Sequence, residues 1–316
     1  MSAPTPDPVL PLTSAPKIAS HTLHHPSHLP SELSQATHRI HLVNHWGGPT
    51  LIRPGARVLE IGCGQGGCTA VLAEAVGPRG AVDAVDPGAP DYGAPYTLAQ
   101  AQAHISASAV GGRVAWHRAQ VLDFLGEKGQ AADRTWDVAV LAHCVWYFES
   151  GRVLEDILRA LRGRVGAVCV AEYALRATEP AAVPHVLAAL GRGALEAHRV
   201  ESRQNIRTPL SPEAIRGIAR KAGWEVESEG VVVPEQGLLD GRWEADMVVG
   251  QGFEGEIDGA VDDERVGTLL RSARAATVAA VDAVGGVDKV QTMDVWVSVL
   301  HLYLAQLRTQ STANEP

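Results

Sequence analysis

The chain has only four cysteines in 316 residues, and Cys63, Cys68, Cys144 and Cys169 lack the spacing of a disulfide framework. Reduced thiols in a cytoplasmic enzyme fit this usage best. Aromatic residues make up 5% of the sequence, so the core must be built mainly from aliphatic side chains. No apolar run reaches the ~18 residues of a membrane span, and no membrane partner is expected. Positive charge is also short. Against 36 Asp and Glu stand 27 Lys and Arg, a net charge of -9, which argues against a nucleic-acid polyanion as the main partner.

What is present points to a sizeable core, since 46% of residues are hydrophobic. Residues 1–35 are rich in Pro, Ser, Thr and His and have no apolar centre of a signal peptide. They read as a mobile leader, or as a lid that orders on binding. From 36 to 46 apolar residues recur at helical spacing, and Gly47-Gly48-Pro49 ends the run. Short apolar strands then alternate with helices. Strands are expected at 57–61, 81–85, 113–117, 136–142 and 166–171, with helices at 69–75, 98–107 and 152–162. Parallel strands need crossover connections, so this rhythm predicts an α/β sheet covered on both faces. An inserted helix near 181–199 follows, and Ser211-Pro212-Glu213 opens another. Two more strands are expected at 224–233 and 242–249, and two helices in the tail, broken at Gly285-Gly286.

The central motif is Val58-Leu59-Glu60-Ile61-Gly62-Cys63-Gly64-Gln65-Gly66-Gly67. Glycines at a strand-to-helix turn let a ligand approach the backbone, and the helix N-terminus favours an anionic group. Gly62, Gly64 and Gly67 also satisfy the dinucleotide pattern G-x-G-x-x-G. Glu60 separates the two readings, because a dinucleotide site normally continues its apolar strand there. Asp86 ends the next strand about 20 residues on, where a carboxylate can accept both ribose hydroxyls in either fold. Asp83, inside the strand, is the weaker candidate.

Val58 to Gly66 is similar, position by position, to the first motif of the class I S-adenosylmethionine-dependent methyltransferases. The resemblance covers roughly residues 40–250, and the chain also looks like filamentous-fungal small-molecule methyltransferases of specialised metabolism. It implies a Rossmann-like, doubly wound, seven-stranded sheet with the last strand antiparallel. The implied cofactor is S-adenosyl-L-methionine, leaving S-adenosyl-L-homocysteine. Glu60, Gly62, Cys63, Gly64 and Gly66 would hold its methionine portion, and Asp86 with Pro87 its ribose. The family's adenine-binding Asp is missing; Gln120 and Val121 take its place, with Asp123 as the fallback. Ala142 and His143 end the fourth strand, where ligands of open parallel sheets bind. The organisation expected is a leader (1–35), a catalytic domain (36–250, insertion 175–210) and a C-terminal helical extension (251–316) serving as lid or homodimer interface.

Methyl transfer from a sulfonium is an in-line displacement that asks mainly for alignment and exclusion of water. A base matters when the acceptor arrives protonated. His143 is the first candidate and Glu172, ending the fifth strand, the second. Trp46, Trp146, Tyr147 and Tyr173 are expected to wall the substrate, their ring faces favouring the cationic sulfonium. Arg207 would clamp a substrate carboxylate or serve a salt bridge. His24 and His28 stand at i,i+4 and His38, His41 and His45 on one helical face; these read as a cover over the site, and no metal is expected. The expected function is methylation of an O or N atom of a small metabolite. The alternatives are a non-catalytic cofactor-binding regulator and a protein or peptide methyltransferase. A nicotinamide oxidoreductase would need a Tyr-x-x-x-Lys pair, which is not seen.

Overall fold

The structure, a computed structural model, describes residues 10–47, 50–199, 202 and 204–303. Gly48 and Pro49 of the expected helix stop lie outside them. Five parallel strands come first: β1 (Arg57–Ile61), β2 (Ala81–Asp86), β3 (Val114–Arg118), β4 (Trp136–Ala142) and β5 (Val165–Tyr173). β6 (Trp224–Val232) and β7 (Val295–Leu302) complete a seven-stranded sheet in the order β3-β2-β1-β4-β5-β7-β6. β7 runs antiparallel to both its neighbours. The expected class of fold is thus present.

Alternate residues of each central strand face opposite sides, and both sides are apolar. Val58, Val138, Val140, Ala167, Cys169, Val297 and Val299 pack beneath α1 (Ala15–Ala19), α2 (Leu29–His45) and α3 (Gly67–Val76). Leu59, Ile61, Leu141, Val168, Val170, Trp296 and Leu300 pack against α5 (Val121–Leu125), α6 (Gly151–Ala160) and α8 (Pro212–Lys221). Burial on both faces makes the strands continuous apolar runs, as parallel sheets require. The short helix α4 (Leu98–Ala107) begins with a full capping box between Thr97 and Gln100. A separate layer of α7 (Val183–Glu196), α9 (Asp240–Val249), α10 (Gly252–Ala260) and α11 (Glu264–Ala283) has its own core, including Leu195, Val248, Phe253, Ile257 and Leu270.

Three expectations need correction. Residues 240–249 form a helix, not a strand. Trp243, Ala245 and Met247 alternate with the charged Arg242, Glu244 and Asp246 in strand fashion, yet Gly241, Ala245 and Val248 are the buried set, at helical spacing. The last strand is instead 295–302, placed in the tail where helix was expected, so 251–316 is not a purely helical extension. Its Val-Trp-Val-Ser-Val-Leu core is the continuous β-rich run of a strand buried on both faces. The described part of the leader, 10–35, is folded. Ile18 and Ala19 are fully buried, and the Asn44 side chain exchanges two hydrogen bonds with the Leu10 backbone (3.0 and 2.8 Å).

Candidate active site

The turn after β1 forms the floor of the site. Gly62 has φ of 74°, and a Cβ there would stand 2.5 Å from the Cys144 Cβ, so no other residue fits without displacing β4's exit. Gly64, at φ 53°, faces open space instead. Asp86 ties the end of β2 to this turn: one carboxylate oxygen accepts from the Gly64 N–H (2.8 Å) and the other from the Gly88 N–H (2.7 Å). Each oxygen keeps a further lone pair for a hydroxyl. Glu60 lies buried under the loop, accepts from the Thr69 hydroxyl at 2.5 Å, and is pushed up to about 7 by burial. Gly66 caps α3 without a side chain, leaving first-turn N–H groups free for an anion. Cys63 is buried, and Pro87 is exposed beside Asp86. Gln120, exposed, precedes α5, whose first residue Val121 is buried beside the end of β2; the Ala119 N–H bonds the Asp86 carbonyl (3.3 Å). An open glycine turn, a half-satisfied carboxylate and free helix N–H groups suit a nucleoside bearing an amino-acid tail.

Asp83 plays no part there. It receives the His117 ring (2.7 Å), Arg134 (2.9 Å) and the Trp136 indole (2.8 Å), a structural hub on the outer strands. Burial raises its carboxyl, but the bonds from His117 and Trp136 outweigh this and hold it below the usual range.

Above the floor, the carboxyl ends of β4 and β5 meet. His143 follows Ala142 with φ of 54°, an uncommon conformation for a non-glycine residue, and its N–H bonds the Ala171 carbonyl at 2.8 Å. Its Nδ1 lies 3.7 Å from a Glu172 oxygen. Glu172 is fully enclosed and accepts N–H bonds from Val145 (2.9 Å), Trp146 (3.2 Å) and Tyr173 (3.0 Å). The Tyr173 ring contacts those of His143, Trp146 and His185, with centroids 4.6, 5.3 and 5.0 Å away. Trp146 donates its indole N–H to the Leu210 carbonyl (3.0 Å), and Tyr147 is half-exposed at the rim. The structure thus brings together Ala142, His143, Glu172, Trp146, Tyr147 and Tyr173. It leaves out Trp46, whose buried indole donates to the Val170 carbonyl (3.1 Å) beneath the sheet: a core residue, not a pocket wall. Arg207 bonds the Trp146 carbonyl through its backbone N–H (2.9 Å) and turns its guanidinium to Glu149 (3.4 Å).

Four residues near these were not singled out as site residues from the sequence. His38 of α2 is buried with its Nε2 3.0 Å from that of His143; of the helical histidine face it alone turns to His143 among the described contacts, while His45 sits beside Gly230. His185 of α7 accepts the Met293 N–H (3.0 Å) and is pushed down to about 3 by burial and by His143. Asp240 and Glu244 of α9 place negative charge around Tyr147 and Tyr173, and burial with the Asp240 neighbour raises Glu244 to about 7. The one available signal was α2's histidine face. The others arrive with helices whose position only tertiary packing sets. No group of three or more His, Cys, Asp or Glu poised for a metal occurs among the described residues.

A family model described as a methyltransferase domain matches residues 58–164, from within β1 to the residue before β5. Methyltransferase phomM' of Diaporthe leptostromiformis is 32% identical over 278 residues, covering 76% of this chain and 71% of the relative. This chain belongs to the class I S-adenosylmethionine-dependent methyltransferases. Methyltransferase phomM from the same fungus is 31% identical over 276 residues, with the same coverage. The crystal structure of a cyclopropane-fatty-acyl-phospholipid synthase-like protein from Lactobacillus casei is 27% identical, with a TM-score of 0.79 over 92% of this chain and 99% of that one. The methyltransferase is therefore an enzyme whose methyl donor is S-adenosylmethionine. None of its described helices is long and apolar enough to cross a membrane.

Proposed function

We propose that this methyltransferase alkylates an oxygen or nitrogen atom of a small metabolite in the cytoplasm. The observation that carries the reading is His143, set at the end of β4 between the Glu172 carboxylate and His38 and roofed by α2 and α7. When bound, the sulfonium supplies an electrophilic methyl group and a neutral leaving group. The chain's own residues hold it. The Gly62–Gly66 turn and the α3 N-terminus take the amino-acid tail, with Glu60 and Cys63 bracing the loop. Asp86 with Pro87 takes the ribose hydroxyls, and Gln120 with Val121 the adenine edge. Ala142 and His143 would adjoin the methyl-bearing end of the cofactor, and Trp146, Tyr147 and Tyr173 would wall the acceptor.

His143 receives the proton of a hydroxyl or ammonium acceptor, and the Glu172 charge 3.7 Å away offsets the imidazolium that results. The approach of α2 to His143 and of α7 to Tyr173 favours a small substrate over a protein surface. The likeness to the Lactobacillus casei synthase-like protein supports one second reading, a carbon acceptor in a lipid chain.

Incubating the enzyme and methyl-labelled cofactor with a metabolite extract separates the readings by mass spectrometry. Label in a polar product as an O- or N-methyl group is expected. Label confined to lipids would favour the second reading, and label confined to protein would overturn both. His143→Ala should slow transfer by ~10²–10⁴-fold, the span of a general base, at unchanged cofactor affinity.

A further inference from the structure

Resting on the reading above of the cofactor floor, we propose that Arg39 of α2 binds the carboxylate of the cofactor's amino-acid tail beside the α3 N-terminus. The same bond fastens α2 over the acceptor side. The guanidinium lies along Gly67, the first residue of α3. A Cβ built there stands 3.3 Å from the Arg39 Nε, 3.5 Å from its Cζ and 3.7 Å from its Nη2. Gly62, Gly64 and Gly66 need glycine for their positive φ, but Gly67 has no such φ. What its missing side chain provides is room for Arg39. A cation is thereby held at the end of α3 that the helix dipole makes positive, where an anion belongs.

No described group of the chain supplies that anion. Among the described residues Arg39 hydrogen-bonds to Gln35 alone, its Nη1 donating to the backbone carbonyl (3.4 Å) and to the neutral side-chain oxygen, and it forms no ion pair. Glu60 feels the Arg39 charge, yet it accepts from the Thr69 hydroxyl, and burial outweighs the attraction and raises its carboxyl to about 7. The Arg39 Nε and Nη2 donors are left without an acceptor among the described residues, and neither is sealed from a ligand. These two nitrogens form the side of a guanidinium that can meet both oxygens of a carboxylate at once. The first-turn N–H groups of α3 lie beside them, so cation, dipole and free donors converge on one anion.

The residues next to Arg39 carry α2 to the acceptor side. His38 meets His143 at 3.0 Å, and Gln35, one turn earlier, donates to Asp240 at 3.1 Å. A carboxylate held by Arg39 bridges α2 to α3 and offsets the unpaired charge, so the helix that carries His38 is firmest with the tail in place. The nucleoside, seated on Asp86, has no such hold on α2.

Calorimetry on the full chain tests the binding with two probes. One is S-adenosylhomocysteine; the other is its decarboxylated analogue, which keeps the ammonium and lacks only the carboxylate. Arg39→Gln should weaken S-adenosylhomocysteine by ~10- to 10²-fold, the loss of a charge-assisted pair, and leave the analogue within about threefold of the parent. S-adenosylhomocysteine held as tightly by the variant as by the parent, or both probes weakened alike, would overturn the proposal. If Arg39→Gln does not fold, Arg39→Lys carries the comparison. It keeps the charge, loses the fork and should weaken S-adenosylhomocysteine alone, by about tenfold. Asp86→Ala should weaken both probes alike. If it does so while Arg39→Gln weakens neither, Arg39 fails alone; if Asp86→Ala leaves both probes intact, the floor on which the proposal rests fails with it.

Backbone hydrogen exchange over residues 29–45 tests the fastening. In the parent, S-adenosylhomocysteine should slow exchange there by about tenfold, and the analogue far less. Equal slowing by both probes, or undiminished slowing in Arg39→Gln saturated with S-adenosylhomocysteine, would show that α2 is held without the Arg39–carboxylate bond.

Discussion

On the β1–β2 side the site is made largely of backbone. The Gly62–Gly66 turn, the α3 N-terminus and the Asp86 carboxylate that grips the Gly64 N–H all come from residues 57–88. On the β4–β5 side it is made of side chains from distant segments: His38 on α2, His143 after β4, Glu172 and Tyr173 on β5, His185 on α7 and Glu244 on α9. A backbone site tolerates change in most side chains but not in its glycines. A side-chain site tolerates local backbone variation but depends on how the covering helices dock. Such a division would let one cofactor floor serve many substrate ceilings.

The comparison is most sharply broken at Gly62. Gly62→Val puts side-chain atoms where the Cys144 Cβ already stands and forces a β-branched residue to φ 74°. Cofactor binding should disappear from calorimetry, whereas binding within tenfold of the parent would show the floor to be pliable.

Trp46→Ala tests the opposite claim, that this aromatic supports the sheet and not the substrate. Loss of a fully buried Trp should cost about 3–5 kcal/mol in denaturant unfolding, while KM for the acceptor stays constant in the folded fraction. A raised KM with unchanged stability would return Trp46 to the pocket.

Asp86→Ala should weaken cofactor binding by about 1.5–3 kcal/mol, from lost ribose hydrogen bonds and a loosened Gly64 turn. The smallest effect is expected at Arg207. Its partner Glu149 is largely exposed, and surface pairs contribute about 0–1 kcal/mol. Arg207→Ala should leave stability within that span and kcat unchanged, and a tenfold rise in KM would instead make it a substrate clamp.

Legibility in the sequence followed the same division. Val58 to Gly66, Asp86 and the strands through β5 are local patterns in which propensity, periodicity and turn chemistry agree. His143 and Glu172 could be placed at the carboxyl edge of the sheet because each follows or ends a strand legible as an apolar run. Trp46 misled because an aromatic beside a covering helix looks the same from sequence whether it faces pocket or core. Residues 240–249 misled because Trp243 and Met247 are exposed apolar residues that imitate a strand's alternation. His185 and the acids of α9 carried no pattern, since their approach to Tyr173 is decided by the packing of one helix layer on another.

The position of β7 bears on how the chain is made. β6 borders β7 alone, so a nascent chain can assemble β1 to β5 as they emerge while β6 waits for residue 302. At a translation rate of ~5–20 residues per second, β5 keeps an open ladder edge for on the order of ten seconds after its own synthesis. Val168 and Val170 are exposed meanwhile, a template for pairing with another unfinished chain. A chain stopped before Val295 would keep that edge permanently, and should collect in the insoluble fraction whatever the quality of its cofactor floor.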